Sequence, residues 1–256
     1  MALVNTDFIE LLERFPALTL ADLDRVSLQD RMDTKFVFPE TLLARILDEL
    51  IHAGYGILQI NDCRAFGYSS TYFDTENYEL YKRHACGKLN RYKVRLRRYL
   101  DTDASYFEVK FKNNRGRTLK NRVKLHDGNE ESASTRLVAE STPYQFSNLH
   151  PCLVVDFNRI TLVSPDFKER LTLDMDLSYE LSDKQWKVDG LVIAELKQNR
   201  AETSFFSQLM KRCHVRPSPL SKYCLGMSKL AEGVKSNNFK PQILMVKKIQ
   251  HAATRP

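Results

Sequence analysis

RYKVRLRRYL at 91–100, YFEVKFK at 106–112 and LKNRVKL at 119–125 carry charge at alternate positions of three consecutive runs. In the first, Arg91, Lys93, Arg95 and Arg97 share one parity, and Tyr92, Val94 and Leu96 share the other. The second sets Glu108, Lys110 and Lys112 against Phe107, Val109 and Phe111. The third sets Lys120, Arg122 and Lys124 against Leu119, Val123 and Leu125. A period of two marks a β-strand with two unlike faces, so three such runs build one cationic sheet surface. The span 91–124 holds twelve Lys/Arg against three acids. Charge at that density repels itself unless an anion occupies the surface or water screens it, which points to a polyanion partner.

Outward from this stretch, other segments repeat the pattern. Arg31, Asp33 and Lys35 share one parity, Glu195 and Lys197 another. Along 170–177, Arg170, Thr172, Asp174 and Asp176 alternate with Leu171, Leu173, Met175 and Leu177. Helical patterns flank the strands. Residues 7–15 carry an apolar stripe, and Thr19 with Asp22 reads as a capping pair. Pro39 opens a helix that stops at Gly54, 132–140 reads as a surface helix, and 201–213 and 221–233 close the helical set. Gly116 marks a turn between two basic strands, and 187–190 a hairpin.

The 256 residues carry a net charge of +7 and five scattered cysteines with no C-x-x-C pair. That disfavours a disulfide framework or a structural zinc site and suits a reducing, cytoplasmic setting. His84, His126 and His214 have no metal-ligand spacing. No run approaches the roughly 18–20 apolar residues of a membrane span, and the first residues lack a signal-peptide layout. A single domain over 1–233 is expected, with 1–30 as a helical extension and 234–256 as a mobile or peripheral basic tail.

An open sheet would turn each charged face to water. The number of charged-parity strands and the amphipathic helices that need an apolar sheet surface favour another arrangement. An α+β fold, in which an antiparallel β-barrel tunnel keeps its charges inside and packs helices on its outside, meets both demands. Its lumen would carry Arg95, Arg97, Lys110, Arg122, Arg170 and Glu195.

With these residues assembled, the chain resembles the VTC domain, the catalytic module of the vacuolar transporter chaperone polyphosphate polymerases, within the triphosphate tunnel metalloenzymes of CYTH type. The resemblance runs from about Arg31 to Gly226. It is carried by R-M-D-T-K-F (Arg31–Phe36), S-S-T-Y-F-D-T (Ser69–Thr75), K-V-R-L-R-R-Y (Lys93–Tyr99), F-E-V-K-F-K (Phe107–Lys112), F-N-R-I-T (Phe157–Thr161), R-L-T-L-D (Arg170–Asp174), A-E-L-K (Ala194–Lys197) and S-K-Y (Ser221–Tyr223). It implies a tunnel binding ATP or another triphosphate and inorganic polyphosphate, with transfer of the γ-phosphate onto the polymer. By position, Lys35, Arg95, Arg97, Lys110, Arg122, Arg159 and Lys222 match phosphate-contacting residues, and Glu195 the ligand of Mn²⁺ or Mg²⁺.

Asp174 is a second metal candidate, with a counter-ion role to Arg170 left open. Arg31, Lys93, Lys112, Lys120, Lys124, Arg170 and Lys197 are further candidates for substrate contact. Guanidinium forks and lysine point charges suit phosphate oxygens, and a carboxylate suits the metal. Related hydrolases begin with Glu-x-Glu-x-Lys, whereas Arg31-x-Asp33-x-Lys35 has one acid, which suits the polymerase branch. The polymerases also carry membrane helices not found in this sequence, so a separate membrane partner is one expectation. The alternatives are a tunnel hydrolase of triphosphate, polyphosphate or nucleotide, and a non-catalytic polyanion-binding module. Nucleic acid is disfavoured because Tyr92 and Phe107 lie on the apolar parity, away from the basic face.

Overall fold

The alternation that marks the strands also decides which face meets the helices. The computed structural model describes residues 6–26, 31–199 and 203–253. Its strands are β1 (Ala17–Leu18), β2 (Arg31–Pro39), β3 (Gly56–Leu58), β4 (Phe66–Asp74), β5 (Arg91–Tyr99), β6 (Ala104–Lys112), β7 (Thr118–Leu125), β8 (His150–Val163), β9 (Glu169–Leu181), β10 (Lys184–Val188) and β11 (Leu191–Asn199). The helices are α1 (Thr6–Glu13), α2 (Leu20–Asp24), α3 (Leu43–His52), α4 (Glu79–Ala85), α5 (Glu130–Ser141), α6 (Phe205–Arg212), α7 (Lys222–Leu230) and α8 (Lys240–Ala253). All the strands join one sheet in the order β2-β11-β9-β8-β4-β5-β6-β7, with β1, β3 and β10 attached beside it. Its pairings are antiparallel apart from the short β1–β3 pair.

The sheet curls on itself. Lys35 of β2 and Lys93 of β5 stand far apart in the strand order, yet they bind the adjacent residues Leu220 and Ser221. The barrel, expected closed or nearly closed, does not close as a sheet: among the described residues β7 pairs only with β6, and the free edge of β2 meets only the chain before α7, at the Phe36–Pro217 bridge and where the Ser218 amide donates to the Lys35 carbonyl. Both are edge strands, and β7 is almost wholly exposed.

The convex face is apolar. Phe36, Phe38, Ile160, Leu162, Leu173 and Leu196 pack beneath α1, α3 and α6, through Leu12, Ile46, Leu47, Leu50, Phe206 and Met210. On the other wall Val94, Phe107 and Val109 pack beneath Val138 of α5. Each such large side chain contributes about 1.5–3 kcal/mol of burial, so the strand parity is firmly held.

The concave face is divided. Its upper part is charged, and its lower part is apolar, with Val37, Tyr72, Val155, Tyr179 and Ile193 covered by Tyr223 and Met227 of α7. A bulge makes the change. The β8–β9 register shifts between Asp156 and Asn158, opposite Asp176, whose φ is +52°. An extra residue reverses the parity of the strand beyond it. Thr172 and Asp174 therefore face inward before the bulge, and Leu177, Tyr179 and Leu181 after it. The alternation read continuously through Asp176 from sequence is broken there.

Other local expectations are refined. Thr19 and Asp22 do form a capping box, on a helix that ends at Asp24. Pro39 ends β2 and precedes a single 3₁₀ turn before α3, since its fixed φ suits both positions. The hairpin of β9 and β10 turns at Ser182, and 187–190 instead carries the chain from β10 to β11. The segment 221–233 is not the final helix. The tail forms α8, whose Val246 and Ile249 are buried, because its apolar residues recur at helical spacing despite the surrounding lysines. Among the described residues, no helix is long and apolar enough to cross a membrane.

Candidate functional site

The charged part of the concave face is assembled rung by rung across neighbouring strands. Arg95 lies opposite Tyr72 on β4 and opposite Glu108 on β6, and Glu108 lies opposite Arg122 on β7. Arg97 lies opposite Ser70 and Tyr106. On the far wall Asp174 faces Arg159, Glu195 faces Thr172 and Lys35, and Lys197 faces Arg170 and Asp33.

Two carboxylates act as clamps. Glu108, 1% exposed, takes Arg95 Nε at 2.7 Å and Lys120 Nζ at 2.5 Å. Burial alone would raise its pKa, but Arg95, Arg97 and Lys120 outweigh burial and hold it at about 2. Asp174, also 1% exposed, accepts from Arg159 Nε at 2.5 Å and Nη2 at 2.8 Å, and pairs with Lys222 Nζ. Burial works against its charge, but Arg159 and Lys222 hold it below the usual carboxylate range. Its two oxygens are thus committed to cations. Asp174 stands as the counter-ion of Arg159 and Lys222, where the sequence offered a metal ligand or a partner for Arg170.

Other cations have no such clamp. Arg97 is 8% exposed, 3.4 Å from Ser70 Oγ and stacked 5.5 Å over Tyr68. Among the described residues no carboxylate lies within ion-pair distance of it, or of Lys93 or Lys110. Burial presses Lys93, Lys110, Lys120 and Lys222 down to about 8, against partial relief from Glu195 at Lys110, Glu108 at Lys120 and Asp174 at Lys222. Lys110 and Lys120 keep contact with solvent although protein atoms crowd them.

Glu195 bonds Lys197 Nζ at 2.5 Å and lies 3.8 Å from Lys35 Nζ. Burial opposes its ionisation, but Lys197 and Lys35 keep its pKa well below the usual value. Asp33 shares its strand parity with Lys35, one rung away. Among the described residues no group of three or more His, Cys, Asp or Glu converges as a metal centre. Mg²⁺ and Mn²⁺ commonly take one or two carboxylates and complete their shell with phosphate oxygens and water. Glu195, with Asp33 beside it, fits a metal that arrives with its phosphates, not a site formed by protein alone.

The N-terminus of α7 closes the cavity from below. Lys35 Nζ donates to the Leu220 carbonyl at 2.9 Å, and Lys93 Nζ to Ser221 Oγ at 2.9 Å. Ser221 caps the helix through the Cys224 amide, and Tyr223 donates to Asp74, which also accepts the Leu80 and Tyr81 amides of α4. Burial and these contacts fix Lys222 where it meets Asp174.

The remaining candidates divide by place. Arg122, expected in the lumen, sits on the inward parity of an exposed edge strand, 5.0 Å over Tyr106. Lys112 and Lys124 are exposed on the same hairpin, and Arg170 lies half-buried toward the opposite mouth. Arg31 opens β2, and its side chain lies outside what the structure describes. The sequence reading left out the tyrosines. Arg159 also stacks over Tyr68, at 5.0 Å, and Arg95 Nη1 lies 3.4 Å from Tyr72 Oη. Tyr92 and Phe107 pack outward as expected, but Tyr106 and Tyr99 face inward. Their parity with Arg97 and Glu108 was the available signal.

Structures of similar outline include an adenylate cyclase candidate from Bacillus halodurans, 14% identical, covering 80% of this chain and 98% of that one, at a TM-score of 0.47. An adenylyl cyclase candidate from Hippeastrum, described as having a dominant triphosphatase activity, is 14% identical over 78% of this chain and 96% of that one, also at 0.47. A protein from Pyrococcus horikoshii is 12% identical over 78% and 98%, again at 0.47. No curated protein matches the chain. The VTC domain family matches residues 30–231, a span that takes in both walls of the charged cavity and the helix that floors it, and the chain belongs to that family.

Proposed function

We propose that the cavity binds a nucleoside triphosphate together with Mg²⁺ or Mn²⁺ and transfers its γ-phosphate onto a polyphosphate chain. The supporting observation is Arg97, a buried guanidinium with no carboxylate within ion-pair distance among the described residues, on the same inward face as Lys93 and Lys110, which lie beyond the Arg95–Glu108 rung. A buried cation is costly unless something completes it, and a bound polyphosphate would do so. Family membership supports the same class of ligand.

In this reading Arg95 and Arg159 are oriented in advance by Glu108 and Asp174 and present fixed forks to phosphate oxygens. Lys35, Lys93, Lys110 and Lys222 add point charges, and Arg97 spreads its charge along the chain. The terminal oxygen of the acceptor chain attacks the γ-phosphorus, the bond to the β-phosphate oxygen breaks, and the nucleoside diphosphate leaves. Such a step needs chiefly alignment and neutralisation of charge. A divalent ion held by Glu195 would neutralise phosphate charge and steady the leaving oxygen.

Hydrolysis is the second reading, favoured by the solvent-facing Lys110 and Lys120 beside the exposed edge strand β7, which leave that wall of the cavity in contact with water. Purified protein given ATP and Mn²⁺ or Mg²⁺ decides between them. Long-chain polyphosphate is the expected product. Free orthophosphate alone moves the assignment to a hydrolase, and no turnover of ATP, triphosphate or polyphosphate overturns both.

A further inference from the structure

The cavity is shut at the end that α7 floors. A Cβ on Gly226 of α7 would meet Tyr179 at 2.6 Å and Leu153 at 2.8 Å, so the helix lies directly on the concave face. Val155, Leu177, Tyr179, Tyr223 and Met227 fill this region and are essentially inaccessible to solvent. A hydrated polyanion that reaches Lys222 cannot enter such packing without losing its solvation.

The path sideways is different. Lys93, Lys110 and Lys120 lie directly opposite one another on β5, β6 and β7, and Arg91 and Lys112 form the next rung below. Like charges paired across strands destabilise a sheet, and here they stand about 5 Å apart per strand. Exposure increases along the row, from the half-buried Lys93 beside Ser221 to the solvent-facing Lys110 and Lys120. The row ends at the far edge of β7, where no strand pairs among the described residues. It therefore carries three lysines from the cavity to the outside, the last of them, Lys120, paired with Glu108.

We propose that this lysine row is a lateral subsite for linear polyphosphate. A chain longer than a triphosphate keeps its reacting end in the cavity and leaves over Lys93, Lys110 and Lys120, beside Lys112 on the next rung, across the free edge of β7. This rests on the reading of the cavity as a phosphate site. It goes beyond that reading in naming the exit and in requiring that the protein engage chains by their ends.

Lysine footprinting on the intact protein tests it, because an uncovered amine acylates faster than a covered one and mass spectrometry reads each one separately. The probes are inorganic tripolyphosphate and long-chain polyphosphate, with the exposed Lys168 as reference. At about ten times the Kd, mass action leaves roughly a tenth of sites open, so a covered lysine should slow about tenfold. Tripolyphosphate is expected to protect Lys35 and Lys222 while leaving Lys112 reactive. The long chain is expected to protect Lys112 and Lys120 as well. Long-chain protection of Lys35 and Lys222 with Lys112 and Lys120 unchanged overturns the lateral exit and leaves the cavity assignment standing. No protection of Lys35 or Lys222 by either probe overturns the cavity reading, and the exit with it.

Discussion

At the scale of single residues, two of the inward carboxylates of the far wall divide the work. Asp174 is fully enclosed by Arg159 and Lys222, while Glu195 keeps partial exposure between Lys197 and Lys35. Removing the charge of a buried counter-ion strands its partners, so Asp174→Asn should cost about 3–5 kcal/mol in urea unfolding. A loss under about 1 kcal/mol would show that the clamp is not structural. Glu195→Gln should instead leave tripolyphosphate binding in place and lower metal-dependent turnover by more than about a hundredfold. Near-normal turnover would make Glu195 a counter-ion and shift attention to Asp33. Arg97 gives the opposite sign. Arg97→Met removes a buried cation without a carboxylate, so the free protein should keep its stability or gain up to about 2 kcal/mol. The melting shift on adding tripolyphosphate should largely vanish, and an undiminished shift would place the ligand elsewhere.

At the scale of elements, α7 connects fold to chemistry. Leu220, Ser221 and Lys222 touch Lys35, Lys93 and Asp174, while Tyr223 anchors the helix to Asp74. Gly226 allows the close approach that makes those contacts simultaneous. Gly226→Ala should lift α7 from Tyr179 and Leu153, costing about 1–3 kcal/mol from overpacking. Turnover should fall further than the unfolded fraction explains, since Lys222 moves with the helix. A variant with unchanged melting and full activity would show that α7 has slack. The bulge at Asp176 matters equally, because without its extra residue Tyr179 and Leu181 would turn outward and α7 would have no floor to rest on.

At the scale of the whole molecule, the cavity stores repulsion that a ligand relieves. Lys93, Lys110, Lys120 and Lys222 sit at about 8 in the folded protein, whereas unfolded lysines titrate at about 10.4. Between those values the unfolded chain binds more protons, so these lysines make the free protein more stable as pH rises through that window. Below pH 8 their penalty is fully present. Bound triphosphate restores the charged form and draws protons in. The ligand-induced melting shift should therefore be largest at pH 7 and shrink through pH 9, with proton uptake seen by calorimetry in buffers of different ionisation enthalpy. A shift independent of pH would mean that the lysines do not face the ligand. Salt should weaken it as well, since the contacts open to solvent are screened.

Much of this was legible in the linear pattern. Period two told which side chains share a face, because side-chain direction in a strand is set by the backbone alone. The rungs of Arg95 with Glu108 and of Lys93 with Lys110 follow from that parity once the hairpin register is known. The family motifs named Lys35, Arg159, Glu195 and Lys222 before their geometry was seen. Parity cannot tell which of two faces curls inward, nor which carboxylate meets which cation, since those depend on residues more than a hundred positions apart. Only the tertiary structure turned Asp174 toward Arg159 and Lys222, broke the alternation at Asp176, set α7 as the floor with α8 behind it, and left β2 and β7 as the edges of the sheet. The chain by itself determined a basic, two-faced sheet. Its enclosure was decided by where the helices found apolar surface, which is a property of the packed molecule.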